Sequence, residues 1–345
     1  MSKTSKPKKP SDSKKIAKMN AKPVANSLLD VMQDNLEFES LLSFNYEKMD
    51  LKAEIQRSIS ELENVRNHPV ICYVANIMHS GGNNSIDYSD DLPFKEMVAT
   101  IPIVEKEIDV VLITPGGLAA QVNNFVNVLR PRFDKVTFIL LDMAMSAGSI
   151  FIMSGDDIIM SADSKFGPID PQIPNKEGRF VPAQSILLAI RDIQERGQKK
   201  IDAGQQPDWT DITILNSINP HDIGSAIGAS DYSIQMVKNY LVNYKFKQWI
   251  VHSRRGGSVT QTEKEERAEK IANLLCNHSV WKNHGHAINR IAAWTECELK
   301  ITHSETIPGL DRVMRRMRAL FYWIFVNTII EKIFISEKYC IIISK

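Results

Sequence analysis

The sequence predicts an α/β protein whose site lies at the carboxyl ends of two neighbouring parallel strands. Three observations predict it. Asp109 to Thr114 is an apolar, β-branched run that ends in the turn Pro115-Gly116-Gly117. Val136 to Leu141 is a second such run, ending at Met145-Ser146-Ala147-Gly148. Helical spacing from about Leu118 to Leu129 lies between them, and another helical run follows Ser146 to about Met153. Strand, turn, helix, strand, turn, helix is the order of two parallel strands joined by a crossover helix. Open α/β sheets build their sites where both turns then lie.

The remaining elements follow along the chain. Residues 1–25 form a disordered basic tail by composition, with seven lysines among the first eighteen residues. A solvated tail is one reading, and contact with an acidic partner or lipid headgroups is another. Residues 26–66 form an N-terminal helical extension, with Leu28, Leu29, Met32 and Leu36 in one piece and Leu51, Ile55, Ile59 and Leu62 in the next. The main domain is expected over 67–255. It opens with a strand from Val70 to Asn76 and a loop over Ser80–Asp90, whose Gly81-Gly82 pair lacks a phosphate-loop ending. Pro93 starts a helix to about Thr100. Ile158 to Met160 is a short buried strand, and Pro168 to Pro174 is extended because each proline disfavours helix in its predecessor. Helices are expected from Val181 to Arg196, at Ile212 to Leu215, and from Ser230 to His252 with a stop at Arg254-Arg-Gly-Gly257. Residues 256–345 read as a C-terminal helical region, opened by a capping box in Thr262-Glu-Lys-Glu265. In that region Leu320 to Val326 is too short to span a bilayer, so it reads as a core or interface helix. The basic run Arg312 to Arg318 before it keeps an interfacial helix open.

Composition narrows the function classes. The net charge of +1 gives no global pull toward nucleic acid. Cys72, Cys276, Cys297 and Cys340 have no CxxC spacing, which argues against a zinc site and a disulfide framework and suits a reducing cytoplasm. No apolar core follows the charged start, so a cleaved signal is not expected. No metal or organic cofactor is implied, and no nucleotide-binding motif is present.

The two turns carry the chemistry. Gly116 and Gly117 let backbone N–H groups approach a ligand closely. Ser146, at a strand-to-helix turn, can expose its hydroxyl, and the N–H of Ala147 at the helix start points the same way. A serine hydroxyl facing main-chain donors is the minimum for acyl transfer. The same residues also fit a Gly-rich packing turn and a serine that caps a helix.

Thr114-Pro-Gly-Gly117, with Ser146 in Met-Ser-Ala-Gly about thirty positions on, resembles the Clp-protease/crotonase-like superfamily. Met160-Ser-Ala-Asp-Ser-Lys-Phe-Gly-Pro-Ile-Asp-Pro-Gln172 is similar to the serine dehydrogenase proteinase family, related to signal-peptide peptidase A. The strong part of the resemblance covers roughly 69–190, with a weaker match through Trp281-Lys-Asn-His-Gly-His-Ala-Ile288. It implies a repeated β-β-α superhelix with added N- and C-terminal helices, Ser146 as nucleophile, and an oxyanion hole from the Gly117 and Ala147 N–H groups, with Gly116 beside them. It also implies a peptide or protein substrate held by main-chain pairing along 168–174 and, together with the apolar helices at both ends of the chain, a homo-oligomer. Cysteine usage points to a cytoplasmic protein, and the basic tail and the 312–318 run leave peripheral membrane contact as an alternative.

The base is open at this stage. Asp170 stands where the Clp pattern would have its histidine. Lys165, Lys176 and Lys199 are lysine candidates, His221 is a weak one, and Asp170 could orient a base or bind substrate. His284 and His286 fit a packed turn, or a catalytic or supporting role; no cysteine or acidic residue stands at metal-ligand spacing to them. Three functions remain: a serine peptidase acting through Ser146, an acyl-CoA enzyme of the crotonase type, and a non-catalytic assembly protein of the same fold. The second usually needs glutamates near the pocket, and 109–150 contains none.

Overall fold

The computed structural model describes residues 27–43, 50–78, 83–174, 178–252 and 256–345. The expected tail over 1–25, the Gly81-Gly82 pair, Lys176 and the Arg254-Arg255 stop lie outside them. Helices α1 (Leu28–Val31), α2 (Glu37–Leu42) and α3 (Leu51–Arg66) precede β1 (Val70–Ala75), and α4 (Asp91–Ala99) leads to β2 (Glu107–Thr114). Then come α5 (Ala119–Leu129), β3 (Lys135–Ala144), α6 (Ala147–Ile152), β4 (Asp157–Met160) and β5 (Lys165–Phe166). A small hairpin, β6 (Gln172–Pro174) with β7 (Phe180–Pro182), is followed by α7 (Ala183–Asp202), α8 (Trp209–Ser217) and α9 (Pro220–Tyr240). Helices α10 (Gln261–Cys276) and α11 (His278–Trp281) lead to β8 (Ile288–Asn289), α12 (Arg290–Thr295) and β9 (Thr302–His303). The chain closes with α13 (Leu310–Asn327), β10 (Ile330–Ser336) and β11 (Cys340–Ser344).

The main sheet runs β11-β10-β1-β2-β3-β4-β9, with β5 on β3 and β8 on β5. Strands β1 to β4 are parallel neighbours, as crossover helices require. Both faces of the sheet are covered, so the strands are mostly apolar, and successive residues feed opposite layers. Ile71 and Tyr73, Val110 and Leu112, and Phe138 and Leu140 join the core beneath α4, α5, α6, α9 and α10. Cys72 and Val74, Val111 and Ile113, and Ile139 and Leu141 join the core beneath α1, α3 and α13. Near the end of β3 the register against β2 slips, from Leu112 opposite Leu140 to Thr114 opposite Ala144. The extra residues re-aim the chain just before Ser146, as bulges beside sites do.

Three sequence expectations are corrected. The C-terminal region is not wholly helical, because β10 and β11 extend the main sheet, with β10 antiparallel to β1 and buried along its length. Glu331 and Lys332 disguise that strand in sequence, yet each has a partner: Glu331 Oε2 accepts from Asn83 N at 2.8 Å, and Lys332 Nζ donates to Asp90 Oδ1 at 2.5 Å. The capping box lies two residues earlier, at Thr260 and Glu263, since Thr260 has the extended backbone that a cap needs. Helix α9 starts at Pro220 and gives way after Tyr240 to a wider turn over Leu241–Lys245, well before the glycines at 256–257.

Helix α13 buries Leu320, Phe321, Trp323, Ile324 and Phe325 against the sheet. Its arginines have acidic partners: Arg312 with Asp34, Arg315 with Glu37, Arg316 with Glu61, and Arg318 with Asp142 and Asp163. No helix among the described residues is long and apolar enough to cross a membrane.

Candidate active site

The two turns meet. Met145 N donates to Thr114 O at 3.1 Å. A Cβ at Gly116 would lie 2.6 Å from Met145 O and 2.7 Å from Ser146 Cβ, so only glycine lets the bends touch. Gly148 does the same one step on, 2.4 Å from Thr114 Cγ2. Ser146 itself has φ 50° and ψ −117°. A non-glycine residue held there is strained by about 1–3 kcal/mol, and such strain concentrates at functional turns. Ser146 precedes α6, but its side chain caps nothing, and its hydroxyl makes no hydrogen bond among the described residues.

The main-chain donors sort themselves. Gly116 N–H donates to Thr114 Oγ1 at 3.1 Å, which removes it from the expected set. The N–H groups of Gly117 and Ala147 make no hydrogen bond among the described residues. Gly117 (φ 143°) is held by its neighbours, because Ile86 N donates to Gly116 O at 2.7 Å and Leu118 N donates to Ile86 O at 2.8 Å. Beneath that stitch lies the fully buried Lys332, whose Nζ also reaches Ser85 O at 3.0 Å and Asp87 Oδ2 at 3.3 Å. Ser85, Ile86 and Asp87 form one wall of a cleft of about 680 Å³ that holds Ser146, Gly117 and Ala147. Ile169, Pro171 and Gln172 form another wall, α9 contributes Ala229, Tyr232 and Ser233, and His284 completes the lining. Ser149 ties the walls together: its hydroxyl donates to Ala144 O at 2.8 Å and accepts from Gly167 N at 2.9 Å.

His284 arrives from far along the chain. Antiparallel pairing of β8 with β5, Phe166 opposite Ile288, brings the 284–289 segment beside the stretch that leads into Asp170. Asp170 is buried, and its Oδ1 accepts from His284 Nδ1 at 2.8 Å. A carboxylate only accepts, so Nδ1 carries the proton and the His284 Nε2 lone pair is left over. Asp170 Oδ2 accepts from a second histidine, His278 Nδ1, at 2.9 Å.

The other base candidates lie elsewhere. Lys165 Nζ sits 3.6 Å from Asp142, which Arg318 and Tyr322 of α13 also engage, and it does not line the cleft. Lys199 is exposed on α7. His221 is exposed in the first turn of α9, two turns before the part that lines the cleft. His286 is exposed and lies against the Trp281 ring at 5.1 Å, so it and His284 serve different partners. Sequence reasoning did not single out His278, whose signal was one histidine after a capping Asn277.

The parallel sheet, the glycine-crowded serine turn and the cleft between them define the fold of a ClpP-like serine proteinase. A sequence model described as ClpP-like SDH-type serine proteinase matches residues 19–212, more than half of the chain, and the chain belongs to that family. The match contains Ser146 and Asp170 and ends before His278 and His284. Two curated relatives come from Methanocaldococcus jannaschii. Uncharacterized protein MJ1495 is 39% identical over 95 residues, 28% of this chain and 30% of its own length. Uncharacterized protein MJ0137 is 33% identical over 98 residues, 28% of this chain and 32% of its own length. The chain thus spans about a third of the curated relatives it matches. Among solved structures, the ClpP protease catalytic domain from Plasmodium falciparum aligns with 35% of this chain and 62% of its own, at 11% identity and a TM-score of 0.26.

Proposed function

We propose that the chain is a serine peptidase with Ser146 as nucleophile, His284 as general base and Asp170 as the group that orients it. Ser146 Oγ attacks the scissile carbonyl carbon while its proton passes to His284 Nε2, and the carbonyl oxygen takes the negative charge between the N–H groups of Gly117 and Ala147. Collapse breaks the C–N bond, His284 returns the proton to the leaving amine, and an acyl-enzyme remains. Water then attacks the ester, again giving its proton to His284, and releases the acid and the serine. One observation carries this reading: an unspent hydroxyl, two unspent main-chain donors and a carboxylate-held imidazole share a single cleft. The chain order Ser-Asp-His differs from Ser-His-Asp, but such sites are recognised by geometry rather than order.

The walls at Ile86–Asp87 and Ile169–Gln172 are proposed to flank an extended peptide, held there by contact rather than by the main chain of Ile86 and Asp87, whose N–H and C=O groups already bond Gly116, Leu118 and Asp90. Among the described residues the lining contains no glutamate, lysine or arginine, so nothing there favours an acyl-CoA reading. A fluorophosphonate probe tests the proposal. Labelling and hydrolysis of a fluorogenic peptide are expected in the parent chain and absent in Ser146→Ala; hydrolysis that persists in a folded Ser146→Ala sinks it. A parent chain that takes no label points instead to an assembly protein. A homo-oligomer belongs to the same proposal, and a clean 39.0 kDa species by light scattering would remove it.

A further inference from the structure

Asp170 is shared between two imidazoles that differ in what lies beyond them. His284 lines the cleft with Ser146, whereas His278 does not. His278 is nevertheless firmly held. It opens α11, its backbone N–H donates to Gln184 Oε1 at 2.9 Å, and Asn277 caps the turn through Ser279 N at 2.9 Å. Gln184 also reaches Cys276 Sγ at 3.6 Å. Burial, and after it the charge of Asp170, pushes the Cys276 thiol up to about 12, so it stays protonated and offers no rival nucleophile.

We propose that His278 is a positioning residue for hydrolysis, the outer imidazole of a His278–Asp170–His284 chain that fixes the carboxylate plane and, through it, the tautomer and tilt of His284. The proposal rests on the reading of Ser146 and His284 as nucleophile and base. A carboxylate held at one oxygen can still swing about its last torsion, because that torsion is broad. A buried carboxylate oxygen left without a donor is costly and seeks another partner. The His278 Nδ1–H at 2.9 Å closes off both freedoms. With Oδ1 then committed to His284 Nδ1, the His284 Nε2 atom is kept as the acceptor that Ser146 needs.

The test compares His278→Asn, whose amide nitrogen overlays Nδ1, with His278→Leu and His278→Gln, which supply no donor at that point. Turnover of a fluorogenic peptide is resolved into kcat and KM, and imidazole nitrogen NMR reads the His284 tautomer independently of turnover. In Leu and Gln, kcat is expected to fall by about tenfold to a hundredfold, the scale of a misplaced catalytic group. KM is expected to change little, and the single Nδ1–H pattern of His284 to become mixed. Asn is expected to restore both. Parent-like kcat and His284 spectra in folded Leu and Gln variants overturn the proposal. So does equal loss in all three variants with the His284 pattern intact, which would leave His278 a packing residue. Turnover retained in Ser146→Ala or His284→Gln defeats the active-site reading instead, and the NMR comparison still decides whether His278 sets the His284 tautomer.

Discussion

Two buried carboxylates sit at opposite ends of the same sheet, and each holds a histidine. At the amino end of β2, Asp109 accepts from His68 Nε2 at 2.8 Å and from Arg66 Nε at 2.6 Å. At the carboxyl end, Asp170 accepts from His284 and His278. The local recipe is nearly the same, but the surroundings are not. Arg66 neutralises Asp109 with a permanent charge, and no serine with positive φ lines the hollow beside His68 among the described residues. A buried His–carboxylate pair is therefore no mark of catalysis by itself. The Asp170 corner stands apart through Ser146 and the two unspent N–H groups across the cleft.

The sharpest break in that comparison is chemical. Asp170→Asn and Ser146→Ala are each expected to lower kcat by roughly 10⁴-fold or more, whereas His68→Gln should leave kcat unchanged. Steady-state assays on fluorogenic peptide decide this, and equal losses at the two corners would erase the distinction. Stability should show the reverse asymmetry. Asp109→Ala strands Arg66, and a broken buried pair costs about 3 kcal/mol or more, visible in urea unfolding as a lower midpoint. Gly116→Ala must drive a Cβ into Met145 O from φ 102°, and about 2 kcal/mol of destabilisation is expected, with turnover lost as the bends part. Ser146→Gly should act in the opposite sense, relieving strain by up to about 1 kcal/mol while abolishing turnover; a lower melting temperature would contradict this. The smallest effect concerns pH. A hydrogen bond from Arg290 is the main cause that holds Glu305 down at about 2 from its ordinary 4.5. A lowered carboxyl contributes stability above its unfolded value, and that contribution fades as pH falls from about 4.5 through about 2. Arg290→Met should flatten that stretch of the stability curve, and an unchanged slope would dismiss the pair.

Much of the frame was legible in the sequence because local rules governed it. Continuous apolar, β-branched runs marked β1 to β4, and glycine marked the two bends, since the contact between Gly116 and Ser146 tolerates nothing larger. Other features depended on distant partners. Lys332 interrupts an apolar run in the sequence, and only the fold brings Asp90, Asp87 and Ser85 round it. The Gly116 N–H looked free until the Thr114 hydroxyl turned back to take it. His284 could be weighed but not assigned, because only the β5–β8 pairing carries it to Asp170. Lys165 drew notice by position, yet its charge belongs to Asp142 near α13.

That β5–β8 pairing bridges the two halves of the proposed chemistry, which lie far apart along the sequence. Serine and carboxylate lie in the first half of the sequence, but the proposed proton acceptor depends on a strand that begins at Ile288. A nascent or partly unravelled polypeptide would then own a nucleophile with nothing to activate it, so hydrolytic power would switch on only once the late strand had docked.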